Sequence, residues 1–322
     1  MNYNEYYKVE DVSKWVEIKT KLLGEKANLF TLTTLAILED RIDYIAWFLD
    51  GRLKNGFDDK NEILFHAAMS GKLNAVKWLV SQGADVNSIS IVDENGGTPI
   101  FAAATNEHLE VITWLKENGA NIRNIKNTNG LTLISSSALA GKTEMIKFLI
   151  KLGADINEIN DNNTTPLGMA ALSGQIESIK CLVSLGAKVD EKVGNCKTPM
   201  FLAASTGQIE SIKCLVSLGA KVDERDANDF SPMFMAASQG HVECIKCLKS
   251  LGADVNFKSK DGYTPVFMAT SSGKIDSLKC LKSLGANLNA KTNDGSTPLS
   301  LAKKLCDIPE AVEWLLENGA QL

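Results

Sequence analysis

Seven cysteines, three histidines and one Gly-Lys-Thr run are the residues of this 322-residue chain whose types could do chemistry. Cys181, Cys214, Cys247 and Cys280 recur at intervals of 33 residues, and Cys244 with Cys247 forms a Cys-x-x-Cys pair. A structural zinc site needs four converging ligands, and a redox pair needs an exposed helix start. Here each spaced cysteine stands at the same mid-helix place of a repeated segment. Neighbouring helices lie ~8–10 Å apart, beyond the ~7 Å Cα reach of a disulfide, so the column reads as core. SSALAGKT (136–143) ends like a phosphate-cradling loop, but Ser136 stands where such a loop needs its first glycine. His66, His108 and His241 have no spacing that brings them to a Ser, a Cys or a carboxylate pair, so no nucleophile with its base is expected. The expectation is a chain with no catalytic residue, no metal and no cofactor.

Charge narrows the partners. There are 34 Lys plus Arg against 39 Asp plus Glu, a net charge of −5, which predicts no general attraction to nucleic acid or anionic lipid. Glu177 with Lys180, Glu210 with Lys213, Glu243 with Lys246 and Asp276 with Lys279 are i,i+3 pairs that mark a solvated helix face. The start, MNYNEYYKVEDVSKWVEIK, lacks the basic stretch and apolar core of a signal peptide, and no apolar run approaches ~18 residues. With seven unpaired-looking cysteines, the chain is expected to be a soluble, cytoplasmic monomer in a reducing compartment.

These residues are positioned by a repeat. QIESIKCLVSLGAKVDE occurs at 175–191 and, unchanged, at 208–224; stepping 33 residues further reaches HVECIKCLKSLGADVNF (241–257) and KIDSLKCLKSLGANLNA (274–290). Each segment opens on Thr-Pro or a near equivalent, so that six of the seven prolines (99, 166, 199, 232, 265 and 298) share one place. Thr then Pro is an N-cap followed by the first helical residue. A short Ala-rich helix stops at a glycine such as Gly207, a second helix follows, and a Gly-Ala pair closes it before a polar link with turn residues. Identical units can stack because each touches only its neighbours.

A unit of turn, helix, turn, helix with TPxxxAA, an interhelix Gly and a Gly-Ala-Asp-Val-Asn exit closely resembles the ankyrin repeat. The resemblance covers about 29–322, with Gly-Ala pairs at 83, 119, 153, 186, 219, 252, 285 and 319 and a degenerate unit at 35–49. It implies an all-α solenoid of about nine units with β-hairpin-like turns over 29–322, behind an N-terminal capping helix region at 1–28. Val12, Trp15, Val16, Leu22 and Leu23 make that helix's apolar face, with a partner-binding helix as the alternative reading. Lys303, Lys304 and Pro309 mark a C-terminal cap. The family's TPLH histidine is absent: Phe101, Ser135, Gly168, Phe201, Phe234, Phe267 and Ser300 stand there, making Ser135 and Gly168 the expected weak joint.

Two columns suggest volume compensation in one packing layer. Where the second helix has Trp114 or Phe148, the first has Ala102 or Ser136; where it has Cys181 or Cys214, the first has Met169 or Leu202.

Ankyrin repeats generally bind proteins, which implies a non-catalytic scaffold taking a partner protein or peptide on its concave face and hairpin tips. Those places vary between units. Leu131, Lys197, Phe230 and Tyr263 are the tips before the Thr-Pro, with Phe230 and Tyr263 as adjacent aromatic anchors unless each folds onto its own turn. Thr105, Asn106, Leu139, Leu172, Ser205, Ser238 and Gln239 end the first helices, and SISIVDENGG (88–97) makes a longer finger. The alternatives are a pathogen or viral effector that captures a host protein in the host-cell cytosol by the same surface, and a small-ligand sensor or enzyme with a buried polar pocket near His66 or the 136–143 turn.

Overall fold

The computed structural model describes residues 9–23, 29–49, 60–90, 96–194, 197–305 and 308–322. Among them the regular structure is helical, with isolated antiparallel bridges Ser90–Gly97, Lys126–Thr132 and Val193–Lys197 closing the hairpin-like turns. After a leading helix Val9–Leu23 the helices come in pairs, for example Pro199–Ser205 with Ile209–Ser217 and Pro232–Gln239 with Val242–Ser250. No helix among the described residues is long and apolar enough to cross a membrane. By compactness the chain forms two bodies, Met1–Leu133 with Lys151–Ala154 and Ile134–Ile150 with Asp155–Leu322.

Local chemistry explains the pairs. Proline at the first helical position places Thr98, Thr165, Thr198, Ser231, Thr264 and Thr297 at N-caps with extended backbone. Their caps are not equivalent. Thr165 Oγ1 accepts from Gly168 N, Thr198 Oγ1 from Phe201 N, and Thr297 forms a full capping box with Ser300. The hydroxyls of Thr98, Ser231 and Thr264 are buried with no hydrogen-bond partner. The third residue of all three helices is Phe, as it is in the capped Thr198 helix, whereas Ser300 at that place supplies a hydroxyl to its own cap.

In the first body, the helix Val9–Leu23 lies on the pair Leu29–Leu38 and Ile42–Leu49. Val12 is fully buried, the Trp15 ring sits 5.0 Å from Tyr44, and Trp15 Nε1 donates to Glu39 at 2.9 Å. Lys19 bridges to the same Glu39 at 2.7 Å, holding its carboxyl below the usual range. Leu22 departs from the expected apolar face: it is 75% exposed. Gly24 and the tyrosines Tyr3, Tyr6 and Tyr7 lie outside the described residues.

The second body is a regular stack. Phe234 and Phe267, at the place of the absent histidine, are completely buried, as are Ile212, Leu215, Ile245 and Leu248 on the second helices. Gly168 leaves no void: a Cβ there would lie 2.9 Å from Leu202 Cδ1 of the next repeat and 2.8 Å from Thr164 Cγ2. Leu202 thus presses on the preceding first helix. The cysteines press elsewhere, since Cys280 Sγ lies 4.0 Å from the Val242 carbonyl of the preceding second helix. The two columns therefore meet the preceding repeat along different helices, Leu202 along the first and the cysteine along the second.

Two further ties join repeats. At the interhelix turn, the residue after the glycine lies over the glycine of the repeat before it: Gly207 has φ +72, and a Cβ on it would be 2.9 Å from the His241 ring. His241 Nε2 pairs with the Ser205 carbonyl at 3.1 Å, and His108 Nε2 with the Met69 carbonyl at 3.0 Å. At the exit of the second helix, Asn256 Oδ1 accepts from Asn287 N at 2.7 Å, and Asn289 Oδ1 accepts from Gln321 N at 2.7 Å. These bonds satisfy backbone groups that a turn would otherwise leave open.

Candidate functional site

The hairpin tips are built by short polar side chains that cap their own turns. Asp226 Oδ1 accepts from Asn228 N at 2.8 Å and Phe230 N at 2.9 Å, while Asp226 N donates to the Phe230 carbonyl at 3.0 Å. Ser259 does the same for Tyr263, its N donating to the Tyr263 carbonyl at 2.8 Å and its Oγ accepting from Tyr263 N at 3.1 Å. Asn127 Oδ1 accepts from Leu131 N at 2.9 Å. Each tip residue is thereby fixed immediately before the Thr-Pro that starts the helix.

The two tip aromatics fold onto their own repeats. The Phe230 ring stacks on Phe234 with centroids 5.0 Å apart, and Tyr263 meets Phe267 edge-on at 5.3 Å. Both remain half-buried. Lys197 is exposed, its Nζ 6.0 Å from the Phe201 ring. Leu131 in the first body is half-buried.

The first-helix ends form the adjoining surface. In the first body, Thr105 Oγ1 and Asn106 Nδ2 turn back to the carbonyls of Phe101 and Ala102, both at 3.0 Å, while the two residues stay exposed. In the second body, Leu139 and Leu172 are half-buried, and Thr206 Oγ1 reaches across to the Leu172 carbonyl at 2.8 Å. Ser205 Oγ donates to Leu202 O at 2.7 Å, and Ser238 Oγ meets Ser272 Oγ at 3.1 Å beside an exposed Gln239. Of the 88–97 finger, Ser90 and Gly97 pair, with Ser90 N donating to the Gly97 carbonyl at 2.9 Å; residues 91–95 lie outside the described residues.

The opposite surface is neutralised. Lys147, Lys180, Lys213 and Lys246 each bond the acid three residues earlier at 2.6–2.8 Å, which raises their pKa values. The spaced cysteines are unreactive in kind: burial raises the thiols of Cys181, Cys214, Cys247 and Cys280, and pushes Cys244 up to about 12.

Two places were candidates for small-molecule chemistry. A Cβ on Gly141 would be 2.5 Å from Gln175 Oε1 of the next repeat, so the space a phosphate would need above the 136–143 turn holds a side chain. Near His66 there is a buried polar group: Ser90 Oγ donates to Glu62 Oε1 at 2.5 Å, and His66 Nε2 lies 3.4 Å from the same oxygen. These three side chains are buried and face one another.

Arg225 and Phe257 escaped the sequence reading, although the guanidinium sits 4.3 Å over that ring and Phe257 meets Phe234 edge-on at 6.4 Å. The signal that reveals them is the 33-residue register itself, which aligns Arg225 with Lys192, Lys258 and Lys291 on the hairpins.

Comparison with known proteins agrees with this geometry. The family pattern described as "Ankyrin repeats (3 copies)" matches residues 20–126, 121–193, 189–259 and 233–322. Among individual proteins, "Ankyrin repeat and SAM domain-containing protein 6" of Rattus norvegicus is 26% identical over 117 residues, covering 36% of this chain and 13% of that protein. Its Mus musculus counterpart is similar to the same extent, 26% over 117 residues. The chain thus spans about an eighth of the length of these relatives, 13% in each case. With the family pattern running from residue 20 to 322 over the helix pairs described above, the chain belongs to the ankyrin repeat family.

Proposed function

We propose that this chain is a non-catalytic scaffold that binds a partner protein or peptide through its hairpin tips and first-helix ends. One contrast carries the reading. The second helices Ile176–Ser184 and Ile209–Ser217 are identical and pair their own charges, whereas the tips change from repeat to repeat and keep Lys197 exposed and Phe230 and Tyr263 half-buried. A surface held rigidly by inter-repeat bonds loses little conformational freedom on binding. The net charge of −5 supports a protein partner over nucleic acid, and the scaffold is taken to act as a cytoplasmic monomer. The helix Val9–Leu23 serves as its N-terminal cap, in keeping with Trp15 on Tyr44.

The test is a quantitative affinity pull-down from candidate lysates, comparing the wild type with Phe230→Ala plus Tyr263→Ala. Both proteins must first melt alike, because these rings also pack on Phe234 and Phe267. A protein held by the wild type and lost by the double variant supports the reading. Equal retention moves the site off the aromatic tips, and no enriched protein overturns the scaffold.

A further inference from the structure

We propose that Asp190 and Asp223 are pH-sensitive clasps between repeats: each carboxyl takes up a proton from solvent and donates it as a hydrogen bond to the Gly219 or Gly252 carbonyl of the next repeat. This goes beyond the scaffold reading and does not depend on it. In four other joints the same place holds a donor. Asn87 Nδ2 donates to the Gly119 carbonyl at 3.0 Å and Arg123 Nε to that of Gly153 at 2.5 Å. Asn256 Nδ2 donates to the Gly285 carbonyl at 3.0 Å and Asn289 Nδ2 to that of Gly319 at 3.3 Å. Asp190 stands as far before Gly219, and Asp223 before Gly252, as Asn256 stands before Gly285. Both lie in the unchanged stretch QIESIKCLVSLGAKVDE, so the acid replaces the donor at two joints in succession.

The accepting half of the joint shows that the aspartates occupy the asparagine's place. Asn87, Asn256 and Asn289 accept through Oδ1 from the backbone N–H of Asn121, Asn287 and Gln321 at 2.7–2.8 Å. Asp223 Oδ2 accepts from Asp254 N at 3.2 Å, and both oxygens of Asp190 lie 3.4 Å from Lys221 N. With one oxygen on that amide, the other stands where the asparagine's NH2 meets the glycine carbonyl, and Asp223 Oδ1 is buried with no hydrogen-bond partner. A carboxylate only accepts, whereas a carboxylic acid has an O–H to donate. Two acceptors facing each other repel, and the longer bonds of the aspartates are in keeping with that repulsion. Proton uptake turns the repulsion into a bond.

The charges around the two sites favour the protonated form on balance. Burial raises the pKa of Asp190, and Glu224 adds to it, against the Lys221 amide and the cations Lys221 and Lys192. Burial likewise raises that of Asp223, with the Asp254 carboxylate adding to it, against the Asp254 amide and the cations Arg225 and Lys249. A carboxyl with a raised folded pKa contributes stability in acid and loses it as pH rises through the folded value. The joints therefore tighten on acidification from neutrality and loosen in the opposite direction. The two hairpins they tie carry the tip residues Lys197 and Phe230, so pH sets how firmly those tips are held.

The experiment is amide hydrogen exchange of the full chain, read by NMR at Lys221 and Asp254, in the wild type and in Asp190→Asn with Asp223→Asn. The variant restores the residue that other repeats carry, and the ratio of the two rates at each pH cancels the intrinsic pH dependence of exchange. At pH 7 both amides should exchange about fivefold more slowly in the variant, the factor of one ordinary hydrogen bond. That ratio should fall toward one as the pH is lowered to about 4, where the wild-type carboxyls gain their own donor. In the converse variant, Asn256→Asp should bring the same pH dependence to the Asn287 amide. A ratio of one at pH 7, a ratio that stays constant down to pH 4, or an Asn287 amide indifferent to pH in the converse variant overturns the proposal. Slower exchange on adding calcium or potassium at pH 7, in the wild type alone, puts a metal ion between the oxygens and overturns it as well.

Discussion

Asn256 clasps the turn of the following repeat: its Nδ2 donates to the Gly285 carbonyl at 3.0 Å. Its Oδ1 takes the amide two residues on, that of Asn287. Asn87 holds Gly119 and Asn121 in the same way, at 3.0 and 2.8 Å. At the equivalent place Asp223 can only accept. Its Oδ2 takes Asp254 N at 3.2 Å and its Oδ1 is buried with no partner.

Asp223→Asn should therefore stabilise the protein at neutral pH, by about 1 kcal/mol for the regained bond. Burial raises the Asp223 pKa. A carboxyl with a raised folded pKa adds stability below its unfolded pKa and loses it as pH rises through the folded value. The gain from the asparagine should thus be full at pH 7 and shrink as the pH falls into the carboxylate range. Thermal melts across pH check this, and an unchanged or lower melting temperature at pH 7 refutes it.

Thr264 and Thr297 should respond oppositely to the isosteric change to valine. The Thr264 hydroxyl is buried without a partner, while Thr297 Oγ1 accepts from Ser300 N and donates to the Gln321 carbonyl at 2.9 Å. Thr264→Val should be neutral or stabilising, and Thr297→Val should cost about 1 kcal/mol. Equal losses in urea unfolding would show that the hydroxyl of Thr264 is satisfied in solution.

Cys214→Trp should destabilise by about 1–3 kcal/mol through overpacking, because the thiol is 9% exposed in a close-packed seam. Leu202→Ala should not rescue it. Leu202 lies over Gly168, and the cysteine column faces the preceding second helix. Full recovery in the double variant would restore the single-layer picture.

Cys244 should resist iodoacetamide at pH 8 in the folded protein and react on unfolding. Its side chain is 1% exposed and burial pushes the thiol up to about 12, so thiolate is scarce at pH 8. Peptide mapping after labelling reads this out; alkylation of Cys244 at the rate of a free thiol contradicts it.

The legible part of the structure was the part that repeats. Helix starts at Pro199, Pro232 and Pro265 and the burial of Cys181, Cys214 and Cys280 follow from local rules reiterated at one period. The candidate surface was legible as positions and not as contacts. The sequence places Phe230 and Tyr263 before the helix starts, but whether their rings stand out or lie down depends on Phe234 and Phe267, and on turns closed by Asp226 and Ser259.

By itself the sequence determined the family, the all-α repeat and the place of each capping residue, because propensity and capping act within a few residues and recur in register. Tertiary structure alone decided which Thr hydroxyls are satisfied, which helix seam holds Cys214 and which holds Leu202, and what the charged tip side chains bond to. Those outcomes depend on side chains about one repeat apart, such as Lys258 on the Lys291 carbonyl, whose meeting is set by how the repeats stack.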